Sequence, residues 1–222
     1  MYIDRDEVLR YLGYKRGIIY DEIWSLINKS IEEIKNYINY RYTYKIFDIK
    51  IDNSEVKIIG STLVFKGRDI AEHLKDSKMC AVLAVTLGSE IETKIKYYEK
   101  VNLTKALILD ACASTAIEWI CEEVQSLIKE EAKIYGLGIT YRYSPGYGDF
   151  PIDIQSKILN VLETQKNIGL TVTEENILIP RKSITAIIGF QDKNIVSNHP
   201  GCRKCNNSRR CEFKRGGSYC GN

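Results

Sequence analysis

Two clusters in this sequence carry residue types that could do chemistry. The first is Arg142-Tyr143-Ser144-Pro145-Gly146-Tyr147, a guanidinium set immediately before a turn. Gly146 has no Cβ and Pro145 fixes the path of the chain into it, so backbone here can approach a ligand closely. The helix expected after Pro151 would aim free N–H groups and a partial positive charge toward the same region. A guanidinium, open amides and aromatic rings suit a small ligand with a carboxylate and a flat ring. An arginine fork gives a carboxylate two charge-assisted hydrogen bonds, each worth about 1.5–3 kcal/mol. The same pattern also describes a strand, a tight turn and a helix with Arg142 in a surface ion pair.

The second cluster is Cys202-x2-Cys205-x5-Cys211-x8-Cys220. Four soft ligands at short spacing, with Gly201, Gly216 and Gly217 to let the chain wrap, fit tetrahedral zinc or an iron–sulfur cluster. A redox cluster could deliver an electron, whereas zinc would staple the tail or form a docking surface. Such crowding reads as metal ligation before disulfides in a reducing compartment. Between His199 and Asn222, Arg203, Lys204, Arg209, Arg210, Lys214 and Arg215 outnumber Glu212, giving +5; against the total of +3 the rest carries −2. A bulk nucleic-acid binder would spread cations over its main domain, and a zinc knuckle would place a histidine where this tail has none. No nucleic acid is expected as partner.

The elements that must position these clusters can be read from periodicity. A short helix from Asp4 or Asp6 through Leu12 and a longer one from Asp21 to about Tyr37 open the chain. Tyr44 with Ile46, Val56–Ile59 and Thr62–Phe65 predict short strands, and the residues after Gly67 a brief helix carrying His73, to which no catalytic role falls. Met79–Leu87 is nearly all apolar, as in a strand covered on both faces. Ser89–Tyr135 predicts two helices broken near Val101-Asn102, the second burying Ile117, Ile120, Val124, Leu127 and Ile128, with Ala106, Ala111, Ala113 and Ala116 allowing close approach. Cys80, Cys112 and Cys121 lie in apolar runs and read as buried fillers. Tyr37, Tyr40, Tyr42 and Tyr44 should line the edge of the core. Ile139–Ser144 alternates, with Ile139, Tyr141 and Tyr143 on one face and Thr140, Arg142 and Ser144 on the other. A helix from about Ile152 to Gln165 and an alternating strand from Lys182 to Phe190 complete the main domain. Strand runs separated by helix blocks favour an α+β fold: a largely antiparallel, twisted sheet flanked by helices, followed by a short Cys-rich C-terminal tail.

The chain has 222 residues, 44% of them hydrophobic and 27% charged. That is enough for one sizeable core, which we place at residues 1–191, with 192–222 as linker and metal-binding tail. No segment approaches the roughly 20 apolar residues that span a bilayer, and the acidic, polar start is unlike a secretory signal. The expectation is a cytoplasmic protein with no membrane partner.

The stretch Tyr141–Pro151 resembles the Arg-x-x-Pro-Gly-Tyr signature of the activation domain of cobalamin-dependent methionine synthase. The likeness continues in Leu170-Thr-Val-Thr-Glu and Ile179-Pro-Arg-Lys-Ser-Ile-Thr, with a fainter echo in Tyr2-Ile3-Asp4. It covers roughly residues 1–191. The resemblance implies that the chain binds S-adenosylmethionine and supports reductive remethylation of an inactive cobalamin, with an electron from a flavodoxin or ferredoxin. It also implies that Arg142 holds the ligand's carboxylate and that Tyr143, Ser144, Pro145, Gly146 and Tyr147 contact the adenosine side. Asp4 would pair with the ligand's amino group, Glu118 would add negative charge for the sulfonium, and Ile188 and Gly189 fall where the family makes further contacts. The family's aromatic pair is absent at that last place. The chain also lacks the Asp-x-His-x-x-Gly motif of lower-face cobalamin ligation, His73 and His199 being differently flanked. Cobalamin is therefore expected only on a separate methionine synthase chain, or on another corrinoid methyltransferase. A scaffold module with no such ligand and a zinc-stapled docking tail is the contrasting expectation.

Overall fold

Residue patterns translate into elements in order along the chain. Asp4 accepts from the backbone N–H of Asp6 and Glu7 and so starts α1, Arg5–Tyr11. Helix α2, Asp21–Ile34, comes after it, with Ile27, Ile31 and Ile34 on its buried stripe. Three strands come next: β1 Arg41–Asp52, β2 Glu55–Ile58 and β3 Val64–Lys66. Helix α3, Arg68–Leu74, leads to β4, Ser77–Thr86. The expected break falls at Asn102, between α4, Glu90–Val101, and α5, Leu103–Ile134, and the Asn102 side chain caps α5 by accepting from the Lys105 N–H. Strand β5, Leu137–Ile139, precedes the site loop. A 3-10 turn, Ile152–Ile154, then runs into α6, Gln155–Leu162, and α7, Thr164–Ile168. The hairpin β6, Thr171–Val172, with β7, Leu178–Ile179, and the long β8, Ser183–Asp192, end the fold. The computed structural model describes residues 1–14 and 18–195. The four cysteines of the C-terminal cluster lie outside the described residues.

The α+β expectation holds. Six strands form one antiparallel sheet in the order β3-β2-β1-β4-β8-β5, with β1 and β4 at its centre and β8 next to the edge strand β5. Helices α1, α2, α4 and α5 cover one face, where Ile27, Leu83, Ile91, Leu109, Ile120, Ile128 and Ile188 pack. Helices α3, α6 and α7 cover the other, over Val56, Phe65, Val82, Ile158, Leu162 and Ile187. Because both faces of β4 and β8 are covered, residues of either parity are buried along them, which is why Met79–Leu87 reads as an apolar run. The expected small-residue row on α5 is buried, Ala106, Ala111, Ala113 and Ala116 all at 3% exposure or less. Among the described residues no helix is long and apolar enough to cross a membrane.

Several expectations need correction. The strand around Tyr44 and Ile46 is twelve residues long, because it pairs with β4 from Arg41 to Asp48 and with β2 beyond. Tyr40, just before it, and Tyr42 within it are exposed rather than set at the core edge, while Tyr37 and Tyr44 do pack against the core. Leu127 lies 47% exposed on the outer side of the α5 stripe, whereas Ile117, Ile120, Val124 and Ile128 are buried. The helix after Pro151 breaks at Glu163, whose left-handed backbone (φ 52) separates α6 from α7. Cys80, Cys112 and Cys121 are buried, as expected, and burial pushes each thiol up to about 12, so they remain protonated packing groups.

One position in β8 leaves no room for a side chain. A Cβ on Gly189 would run into Ser77 Oγ and lie 2.8 Å from Leu74 Cδ2 and 3.1 Å from Thr140 Cγ2. Gly189 thus lets α3 and the start of β4 settle onto β8. Gly189→Ala should destabilise the protein by about 1–3 kcal/mol through overpacking. A urea midpoint equal to the parent's would show that the neighbours yield without cost.

Candidate functional site

Arg142 lies just beyond β5, on the edge of the sheet, and one extra residue decides where it points. Ile139 pairs with Phe190, and the next bridge is Tyr143 with Ile187, so one chain advances four residues while the other advances three. The extra residue is a bulge, and a one-residue slip in a strand moves the subsequent side chains to the opposite face. Ile139 packs on the α5 side, whereas Tyr141 and Tyr143 pack on the α3 side. This corrects the simple alternation expected for Ile139–Ser144. Its consequence is that Arg142 reaches toward α5.

There the guanidinium meets three side chains of α5 spaced one helical turn apart or nearly so. It lies 3.2 Å from Glu118 Oε2 and 2.7 Å from Glu122 Oε1, and donates to Gln125 Oε1 at 3.3 Å. The Arg142 side chain is only 12% exposed, against 38% and 43% for the two glutamates. The expectation of a surface ion pair is thereby replaced by a sunken cation under two half-open carboxylates. Burial opposes the Arg142 charge, while the Glu122 and Glu118 carboxylates favour it, and the balance holds its pKa above the ordinary value. For Glu118 the balance runs the other way. Desolvation raises its pKa against the pull of Arg142, and the Glu122 charge adds repulsion.

Helix α1 also packs against α5. Arg10, only 7% exposed, pairs with Glu7 at 2.6 Å and lies with its guanidinium 4.4 Å from the centre of the Tyr11 ring. Both Arg10 and Tyr11 feel the Glu118 charge, and burial first and Glu118 second push the Tyr11 hydroxyl above its ordinary pKa. Glu7, Arg10, Glu118, Arg142 and Glu122 are thus linked through neighbours of opposite charge. Arg10, Tyr11 and Glu122 were missed by the sequence reading; the one signal available was the four-residue step from Glu118 to Glu122, which puts both on one helix face.

The loop after Arg142 rests on the opposite side of the sheet edge. Tyr143 stacks on His73 at 5.0 Å and packs near Phe150, whose ring meets Phe65 edge-on. His73 Nε2 lies 3.0 Å from Thr140 Oγ1, which also accepts from the Gly189 N–H at 2.8 Å. His73 is therefore part of the packing that carries the loop. Gly146 adopts φ 91, Pro145 is buried, and Tyr147 is 52% exposed. Arg142 and the Ser144–Tyr147 segment thus share one edge of the molecule but lean to opposite faces of it.

The remaining expected site residues have other duties. Asp4 caps α1 through one carboxylate oxygen, Oδ1, which accepts from the Asp6 and Glu7 N–H. The Ile188 side chain is fully buried in the core beneath α5, and Gly189 has both backbone groups bonded to Thr140. Among the described residues no group of three or more His, Cys, Asp or Glu could hold a metal ion.

Replacing the buried guanidinium tests the electrostatics directly. Arg142→Met leaves Glu118 and Glu122 facing each other and should cost about 1–3 kcal/mol at neutral pH, a loss recovered in acid as the glutamates protonate. In the parent, the raised pKa of Glu118 means that its contribution to stability is present below the ordinary glutamate pKa of 4.5 and lost as pH rises through the higher folded value. Glu118→Gln should flatten that part of the profile. Identical urea midpoints for parent and Glu118→Gln across that window would contradict the balance described.

No protein-family model and no curated relative matches the chain. Among solved structures, the chain is similar to the crystal structure of the MetH reactivation domain bound to AdoHcy, at a TM-score of 0.64 and 14% identity, covering 88% of this chain and 72% of that one. At that identity the likeness is one of fold.

Proposed function

We propose that this chain binds S-adenosylmethionine in the crevice between Arg142 and α5 and supports reductive remethylation of cobalamin carried by a separate methionine synthase. The observation that carries the reading is the sunken Arg142 with Glu118 and Glu122 beside it. S-adenosylmethionine combines a carboxylate with an ammonium and a sulfonium, a net single positive charge. One arginine and two glutamates carry a net single negative charge, so the site can match each pole of the ligand. The ligand's carboxylate would take guanidinium N–H groups now shared with the glutamates, and the released carboxylates would face the ammonium and sulfonium. The fold likeness to a reactivation domain bound to AdoHcy supports a ligand of this class. Asp4, at the start of α1, would complete the contacts, and the adenosine would have to cross the sheet edge to reach the Tyr143–Tyr147 backbone on its other side.

In this reading the protein supplies position and charge rather than an acid, base or nucleophile: fixing the sulfonium turns an encounter into a near-unimolecular methyl transfer. Residues 192–222 would form the attached tail, with Cys202, Cys205, Cys211 and Cys220 as the thiolate ligands of an iron–sulfur cluster or zinc. An iron–sulfur cluster would supply one-electron reduction at the partner's cobalamin, with a flavodoxin or ferredoxin as its donor. The ultraviolet-visible spectrum of anaerobically purified protein separates the two metals, since a colourless sample with stoichiometric zinc removes the redox role.

Calorimetry tests the ligand. S-adenosylmethionine should bind with measurable heat, and Arg142→Ala should lose about 2–5 kcal/mol of that binding. Glu118→Gln should weaken binding while leaving the protein at least as stable at neutral pH, and parent affinity should decline as pH falls and Glu118 protonates. No heat from the parent at high concentration would leave the fold without this function.

A further inference from the structure

We propose that Asp149 is a positioning residue that sets the Ser144–Tyr147 backbone by a two-way latch with Asp69 on the first turn of α3. The proposal rests on the reading of that segment as part of the S-adenosylmethionine site.

Helix α3 begins at Gly67, which has no side chain to cap it. The missing acceptor arrives from about eighty residues along the chain: Asp149 takes the Arg68 N–H at 2.8 Å and the Asp69 N–H at 3.0 Å. Asp69 returns the contact, its carboxylate accepting from the Asp149 N–H at 3.1 Å. Glycines on both sides make this approach possible. A Cβ on Gly67 (φ 137) would lie 2.6 Å from Asp149 Oδ1, and one on Gly148 (φ 53) would run into the Asp69 carboxylate and lie 2.7 Å from the Tyr143 hydroxyl. Any larger residue at either place would push the two aspartates apart.

The latch acts on a segment whose two ends are buried. Tyr143 and Phe150 are buried at 8% and 1% exposure, and between them the chain closes on itself through Gly146 N–H to Phe150 O (2.8 Å) and Phe150 N–H to Tyr147 O (2.9 Å). Asp149 sits between these anchors and the exposed Tyr147. Pulling Asp149 onto α3 therefore fixes the height of Gly146 and Tyr147 above the sheet edge. The charged and titratable groups facing the latch are Asp69, Arg68, Tyr141 and Tyr143, and the backbone N–H donors hold the Asp149 carboxyl below its ordinary pKa.

The test uses the full chain and S-adenosylmethionine. Asp149→Ala should bind about tenfold more weakly, Asp149→Asn, which keeps one acceptor oxygen, should fall between it and the parent, and Asp153→Ala, a nearby exposed acid, should match the parent. An Asp149→Ala protein that unfolds more easily but binds as tightly as the parent would reduce the latch to a helix cap and overturn the proposal. If the parent shows no binding, the ligand reading fails by itself, and hydrogen exchange then judges the latch. Exchange at the Gly146 and Phe150 amides should quicken in Asp149→Ala, and unchanged exchange would contradict it. Should Asp149→Ala fail to fold, Asp69→Ala, which removes only the return bond, should quicken the same amides; if it does not, the proposal falls.

Discussion

A cation buried at the edge of a sheet must be paid for by its neighbours, and Arg142 is held by Glu118, Glu122 and Gln125 from a single helix face. Desolvating a guanidinium is costly unless its donors are used and its charge is matched. Here the matching groups sit on α5, the longest of the described helices, whose other face is buried on the sheet, so the arginine is oriented by a well-anchored element. The arrangement is also asymmetric. Arg142 is nearly enclosed, while the two carboxylates keep an open side from which a cationic ligand could approach. The elevated pKa of Glu118 records first the cost of burying its carboxylate and then the repulsion from Glu122, against the pull of Arg142.

The bulge before Arg142 gives the edge strand its two-sided character. Because Tyr141 and Tyr143 turn to the α3 side, the chain is fixed there by aromatic packing on His73 and Phe150, and the intervening arginine is free to serve the other side. The loop beyond continues on the α3 side, tied to that helix by aspartates. Two helices that never touch the same face of the sheet thus converge, through one strand, on the position of Arg142 and the turn after it.

Much of this was legible in the sequence and some was not, for identifiable reasons. Periodicity placed α5 and its small residues, and Asn102 marked the break before it because an asparagine can cap the helix that begins beside it. The glycine-bearing turn after Arg142 was visible from Pro145 and Gly146. The bulge was not, since Ile139–Ser144 alternates acceptably in either register and the choice is made by remote partners: His73 on one side, Glu118 and Glu122 on the other. The Asp149 latch escaped for the same reason, as its partners lie about eighty residues away. Glu163 interrupts a helix with none of the glycine or asparagine that would have announced a left-handed residue. Local signals located the elements, and long-range polar contacts aimed the side chains.

The central claim is that Arg142 and its two acids form a ligand site for a sulfonium amino acid rather than a closed structural ion cluster. A crystal structure of the protein with S-adenosylmethionine tests it most directly. The account predicts the ligand's carboxylate on the Arg142 guanidinium, with Glu118 or Glu122 turned toward the ammonium or sulfonium. A ligand bound elsewhere, with the contacts among Arg142, Glu118 and Glu122 unchanged and the crevice filled by protein atoms, would contradict it.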